Sequence, residues 1–245
     1  MSGARRERQR AATIAEISRT ARRLLVEDGI EAVTLRAIAR EMGMTAPALY
    51  RYFANRDELL RHLAGDLYGD LTDFLAARLE EVAGDGIEAR FRAAGHGFRR
   101  WSLDHPREYG LMFGTPLPQP DLPGEHGGHG EHGEHGDHVH DHAAECGARF
   151  GMFFMALFTE LWAQRPFPVP ADEEIAPGLR AQLAEYRDHM GIALPLGCIL
   201  VYLQCWVLLQ GAVSLEVFGH VQFALADPEP LFALSLDDIA RRLGF

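Results

Sequence analysis

A chain of 245 residues, 47% of them hydrophobic, can build one or two domains around a sizeable core. Three cysteines, and no apolar centre in the N-terminal MSGARRERQRAATIAE, exclude a secreted disulfide framework and predict a cytoplasmic protein. No run reads as long and pure enough to span a membrane, and a formal charge of −11 argues at first sight against a polyanionic partner.

The charge is unevenly placed. Residues 1–56 carry eleven Arg against six acids, a net +5, which leaves −16 for the remainder. A basic head on an acidic body turns the head toward a polyanion and keeps the body away. The cluster Arg5–Arg10 reads either as an arm reaching phosphate or the minor groove or as a frayed, solvated end.

In chain order, the first helix closes at Gly29. Thr34 is a helix N-cap, followed by Leu35, Ile38, Ala39 and Met42 at the spacing of one buried face. Gly43 suits the left-handed position that ends this helix. Thr45 is expected to cap the next one, with Pro47 in its first turn and Leu49 and Phe53 facing inward. Two short helices joined by a Gly-containing turn make a helix-turn-helix, whose second helix can enter a DNA major groove. Periodicity alone suits any helical bundle equally well, so the exposed face decides. It carries Ala46, Ala48, Tyr50, Arg51 and Tyr52, with Arg36 and Arg40 on the preceding helix and Arg56 just after. Small residues allow deep entry into the groove, while phenol hydroxyls and guanidinium groups reach phosphates. The candidate DNA-contacting residues are therefore Thr34, Arg36, Thr45, Ala46, Ala48, Tyr50, Arg51, Tyr52 and Arg56. A third helix opens at Asn55, with Glu58 in the capping-box relation to it.

The stretch from Ala21 to Leu60, ARRLLVEDGIEAVTLRAIAREMGMTAPALYRYFANRDELL, resembles the DNA-binding domain of the TetR family of transcriptional regulators. Leu25 and Arg56 stand where that family often has Phe and Lys, and both keep the chemistry. The resemblance implies an all-α homodimer: a three-helix DNA-binding head followed by a helical-bundle domain for effector binding and dimerisation. It implies a ligand-released repressor on a pseudo-palindromic operator of double-stranded DNA, with a small-molecule effector and no membrane partner. Residues 1–56 form the head, a linking helix runs to about 82, and 83–245 form the body.

The body reads as helices throughout. An apolar stripe from Leu59 to Leu79 carries the Asn55 helix to about Val82. Further helices are expected over 87–105, 106–113, 150–162, 178–189, 195–220 and 231–243. The 195–220 segment has apolar residues on more than one face, Leu208 and Val213 among them, and predicts a two-fold four-helix interface with the last helix. It resembles one C-terminal subclass with a Trp–His–Gly pattern: Trp206 and Gly211 stand in place, but Gln210 replaces the His. Of the body's aromatic and Met residues, most serve the core, and Trp101, Met112, Phe154 and Trp206 are the first candidates to line an effector cavity.

Residues 117–142 form a polar loop rich in His. Between Gly124 and His142 stand His126, His129, His132, His135, His138, His140 and His142, interleaved with Gly and acids. Such a segment cannot pack, and its imidazoles suit zinc, nickel, copper or cobalt. His142 and Cys146, four apart, can share one side of a helix. No cofactor is required for DNA binding; a divalent transition metal at this loop is the candidate cofactor. The alternative to a regulator is a cytosolic metal-binding or metal-responsive protein using this loop. Asp66, Asp70 and Asp73 read as a solvated face. No phosphate loop, nucleophile elbow or HExxH motif supports an enzyme.

Overall fold

The structure is a computed structural model that describes residues 2–114 and 137–245, with side chains from 4 to 114 and from 142 onward. Every regular element among the described residues is helical. The order is α1 (Ser2–Asp28), a 3-10 turn (Ile30–Ala32), α2 (Leu35–Glu41), α3 (Ala46–Leu49), α4 (Arg56–Glu81), α5 (Gly86–Asp104) and α6 (Pro106–Tyr109). A π turn (Gly110–Gly114), α7 (Asp137–Gln164), a second 3-10 turn (Asp172–Glu174), α8 (Pro177–Met190), α9 (Leu196–Val217) and α10 (Glu229–Arg242) complete it.

By packing, the chain forms two compact units that are not consecutive in sequence. Unit 1 comprises the described residues within Met1–Thr72 and His105–Phe150, and unit 2 comprises Asp73–Asp104 and Gly151–Phe245. A boundary at residue 83 follows chain order; packing instead groups α6 and the start of α7 with the head. In unit 1, Ile17, Ala21 and Leu25 of α1, Ile38 of α2, and Leu59, Leu63 and Leu67 of α4 are buried at helical spacing. Arg107 donates to the carbonyls of Val26 (2.8 Å) and Leu25 (3.4 Å), a cation at the carbonyl end of α1. Arg22 reaches Asp70 (2.5 Å) and the buried Glu108 (3.4 Å).

Unit 2 packs α5, α8, α9 and α10 around aromatic side chains. Arg99 of α5 holds Glu216 through two bonds of 2.6 and 2.7 Å and also pairs with Glu229, tying the end of α9 to the start of α10. Cys198 and Cys205 are buried, and burial pushes their thiols up to about 11 and about 12.

Three expectations need correction. The Arg5–Arg10 cluster continues the helix of α1, where Arg10 donates to the Arg51 carbonyl (3.3 Å) and lies over the Tyr52 ring. α7 begins at Asp137, so the last six residues of the His-rich segment are helical. α9 does have the length and apolarity of a membrane span, but half of that window is buried inside the protein, as in a core helix.

Candidate nucleic-acid interface

The Thr34 hydroxyl accepts the Ala37 N–H at 3.1 Å and starts α2. At its end Gly43 takes φ 64°, a left-handed conformation that any Cβ would strain. This conformation lets the Gly43 N–H donate to Arg40 (3.3 Å) and the Met44 N–H to Ala39 (2.8 Å), the two bonds of a Schellman cap. The chain can then restart within two residues. The Thr45 carbonyl accepts from Ala48 (2.9 Å) and Leu49 (3.3 Å), while its hydroxyl makes no capping bond, contrary to expectation, and stays exposed.

α3 is a single turn. After Leu49 the chain tightens, and both Tyr52 and Phe53 N–H groups donate to the Leu49 carbonyl (2.9 and 3.3 Å). Leu49 and Phe53 are fully buried and fasten this turn to the core. The next helix starts so soon that α3 cannot lengthen: Asn55 accepts the Glu58 N–H at 2.8 Å, and the Glu58 carboxylate accepts the Ala54 N–H. Between these two caps lies a short segment, Thr45 to Tyr52, that buries Leu49 and exposes Thr45, Pro47, Tyr50 and Arg51.

Its surface is basic. Arg36 and Arg40, one turn apart on α2, are exposed with Arg51, and Tyr50 is 49% exposed. Among the described residues, none of these three arginines has a carboxylate partner. Arg22, Arg23, Arg90, Arg92, Arg99 and Arg241 all do. Ala46 and Ala48 are half-buried between them. Unpaired guanidinium groups around small residues can meet phosphates on both sides of a groove while the backbone approaches base edges. Arg56 is differently employed. Its guanidinium donates to the carbonyls of Val33 (2.9 Å) and Ile30 (2.6 Å) and lies 3.6 Å from Glu31. It braces the 3-10 turn against the start of α4 instead of standing free for phosphate.

The family description "Bacterial regulatory proteins, tetR family" matches residues 17–63, and "Tetracyclin repressor-like, C-terminal domain" matches 91–239. The chain belongs to the TetR family. It is 30% identical over 224 residues to HTH-type transcriptional regulator Rv1816 of Mycobacterium tuberculosis, covering 89% of this chain and 86% of that one. HTH-type transcriptional regulator Mb1846 of Mycobacterium bovis matches with the same values. Among solved structures, regulatory protein SCO4313 is 29% identical with a TM-score of 0.66, over 95% of this chain and 97% of that one. A Rhodococcus sp. RHA1 protein, 21% identical with a TM-score of 0.63 over 93% of each chain, shares the fold. This TetR-family chain is a DNA-binding transcription regulator, from a family that regulates transcription and does not catalyse.

Unit 2 of this TetR-family protein holds an apolar cavity of about 40 Å³, lined by Phe91, Phe154, Phe158, Tyr202, Trp206 and Phe245 among others. Phe154 and Trp206 meet there, their ring centroids 5.8 Å apart. Trp101 and Met112, the other two residues singled out from sequence, are buried but do not line it. Phe91, Tyr202 and Phe245 are not among those four first candidates, because no local pattern separates a cavity wall from ordinary core. The Tyr202 hydroxyl donates to the Gly151 carbonyl at 3.3 Å, and burial pushes its pKa upward. A cavity this size holds about three waters, small against the roughly 300–1,000 Å³ of ligand sites. An effector there must first move side chains.

Of the seven histidines of the His-rich segment, His126, His129, His132 and His135 lie outside the described residues. His138 and His140 are on the first turn of α7, and His142 follows on its second.

Proposed function

We propose that the chain is a homodimeric repressor that acts in the cytoplasm on a pseudo-palindromic operator and releases it when an apolar effector enters unit 2. The observation that carries the DNA contact is the exposure of Arg36, Arg40 and Arg51, which have no carboxylate partner among the described residues. Thr34, Thr45, Tyr50 and Tyr52 supply further hydrogen-bonding groups, and Ala46 and Ala48 face the bases.

Two-fold association is supported by apolar residues that α9 and α10 leave in solvent. Val207 is 67% exposed and Leu234 62%, with Leu208, Leu215, Phe218 and Leu231 also exposed. Pairing these helices with their symmetry mates removes that surface from water in an isologous interface. Val213, expected at this interface, is buried within the protomer and belongs to its core. The effector reading rests on the aromatic cavity, whose walls of Phe154, Trp206 and their neighbours suit a flat or greasy molecule.

The test is anisotropy of labelled DNA from upstream of the chain's own coding region, titrated at several salt concentrations. The expected result is two chains per duplex and an affinity that falls about 10³–10⁵-fold between 50 and 200 mM salt if six to ten phosphates are contacted. Equal affinity for unrelated DNA at all salt concentrations overturns operator-specific binding.

A further inference from the structure

His62 and Asp66 lie one turn apart on α4 and share a face. Against that face, within unit 1, comes the beginning of α7. The approach depends on Gly65: a Cβ there would sit 2.9 Å from the Ala143 Cα and 3.1 Å from the His142 ring. The missing side chain lets the two helices touch and delivers His142 onto α4. Its Nε2 is 2.7 Å from Asp66 Oδ1, and His62 Nε2 is 3.8 Å from Asp66 Oδ2. The two imidazole rings are 4.5 Å apart, inclined by 35°.

The result is two imidazole nitrogens and a carboxylate oxygen, all within 4.8 Å of one another. A tetrahedral zinc-type ion with bonds of about 2.0–2.1 Å spaces its ligand atoms about 3.4 Å apart, so side-chain rotations that change these separations by at most about 1.4 Å are needed. The surroundings are those of a prepared site. The Ser18 hydroxyl donates to Asp66 Oδ2, and Cys146 Sγ lies 3.9 Å from His142 Nδ1. Such contacts behind the ligating atoms orient metal ligands. His62 is only 9% exposed, with the Phe53 ring 5.3 Å away on one side. Its Nδ1 is buried without a hydrogen-bond partner among the described residues, while its Nε2 is the nitrogen that faces Asp66. Purely structural buried histidines normally have such a partner.

We propose that His62, Asp66 and His142 form a binding site for one divalent transition metal of the zinc class, with a fourth position open to water or another ligand. Two neutral imidazoles and one carboxylate are a borderline donor set that suits zinc, cobalt or nickel better than magnesium or calcium. The site is distinct from the His-rich segment, of which it uses only the last histidine. It clamps α7 to α4, the helix whose first residue, Arg56, braces the 3-10 turn of the DNA-binding head.

The experiment separates this site from adventitious binding by the neighbouring histidines. In the full chain, His126, His129, His132, His135, His138 and His140 are all replaced by Gln, and zinc is titrated against a chromophoric chelator. About one zinc per chain is expected to remain bound. His142→Gln, Asp66→Asn or His62→Gln on that background should each weaken it at least 10-fold. His142 and Asp66 are half-exposed, and thermal melting of those two variants without metal checks that folding is preserved. Cobalt in the same background should give the visible absorption of a four- or five-coordinate ion, lost with His142→Gln. Loss of all tight zinc binding on removing the six histidines overturns the proposal, and so does binding that His142→Gln and Asp66→Asn both leave unchanged.

Discussion

Arg56→Ala separates a structural brace from a phosphate ligand. The side chain makes two charge-assisted hydrogen bonds to backbone carbonyls, at 2.6 and 2.9 Å, and is 36% exposed. Bonds to a charged group contribute about 1.5–3 kcal/mol each when buried. Partial exposure lets water replace much of that, and the pairing with the exposed Glu31 adds about 0–1 kcal/mol. A loss of about 2 kcal/mol follows, or about 4–8 °C in melting temperature for a chain of this size. Arg56→Lys should recover little, since one ammonium cannot span both carbonyls as the planar fork does. The decisive assay pairs calorimetry with operator affinity against salt, at a temperature where both variants are folded. Removing a brace leaves the slope of log affinity against log salt unchanged. Removing a phosphate ligand reduces it by about 0.9 for each phosphate left unneutralised, about two per dimer. An unchanged melting temperature together with a reduced slope refutes the assignment.

For Arg36→Ala and Arg51→Ala the opposite pattern is expected: melting unchanged within about 0.5 kcal/mol, and a salt slope lower by about two per dimer for each. Titration of the same duplex checks both. Leu208→Arg, at an exposed apolar position of α9, should yield monomers by light scattering that lose binding to a full operator but keep their helical circular dichroism, because an unpaired charge disfavours an apolar interface. Val213→Arg, at a core position, should instead cost the fold itself. Arg99→Ala should destabilise unit 2 by about 3–5 kcal/mol, since the Glu216 carboxylate, itself largely buried, loses its bidentate partner. Urea unfolding of this variant and of Glu216→Gln tests it, and a loss below about 1 kcal/mol in both argues that water replaces the pair.

Much of the head was legible because its determinants are local. The Thr34 cap, the turn at Gly43 and the inward Leu49 and Phe53 depend on residues three or four apart, and short-range hydrogen bonding enforces them. Most helix ends in the body were legible for the same reason, from Gly, Pro and the end of an apolar stripe. Side-chain employment was not. Thr45 looked like a cap, yet its backbone carbonyl does that work; Arg56 looked like a phosphate ligand, yet its reach to Ile30 and Val33 exists only once α4 has docked. Val213 looked like an interface residue because periodicity cannot distinguish which apolar face meets the protomer's own core. Asp66 looked solvated with Asp70 and Asp73 until α7 came down beside it. That approach joins residues 76 apart in the chain and turns on the absence of a Cβ at Gly65, a steric condition that no window of sequence contains. Sequence by itself determined the helices, the basic exposed face and the family, because propensity, capping and charge act over a few residues. Only the tertiary structure decided which arginines stay free, which aromatics wall a cavity and where three metal-binding side chains meet, because each depends on distances between helices far apart in the chain.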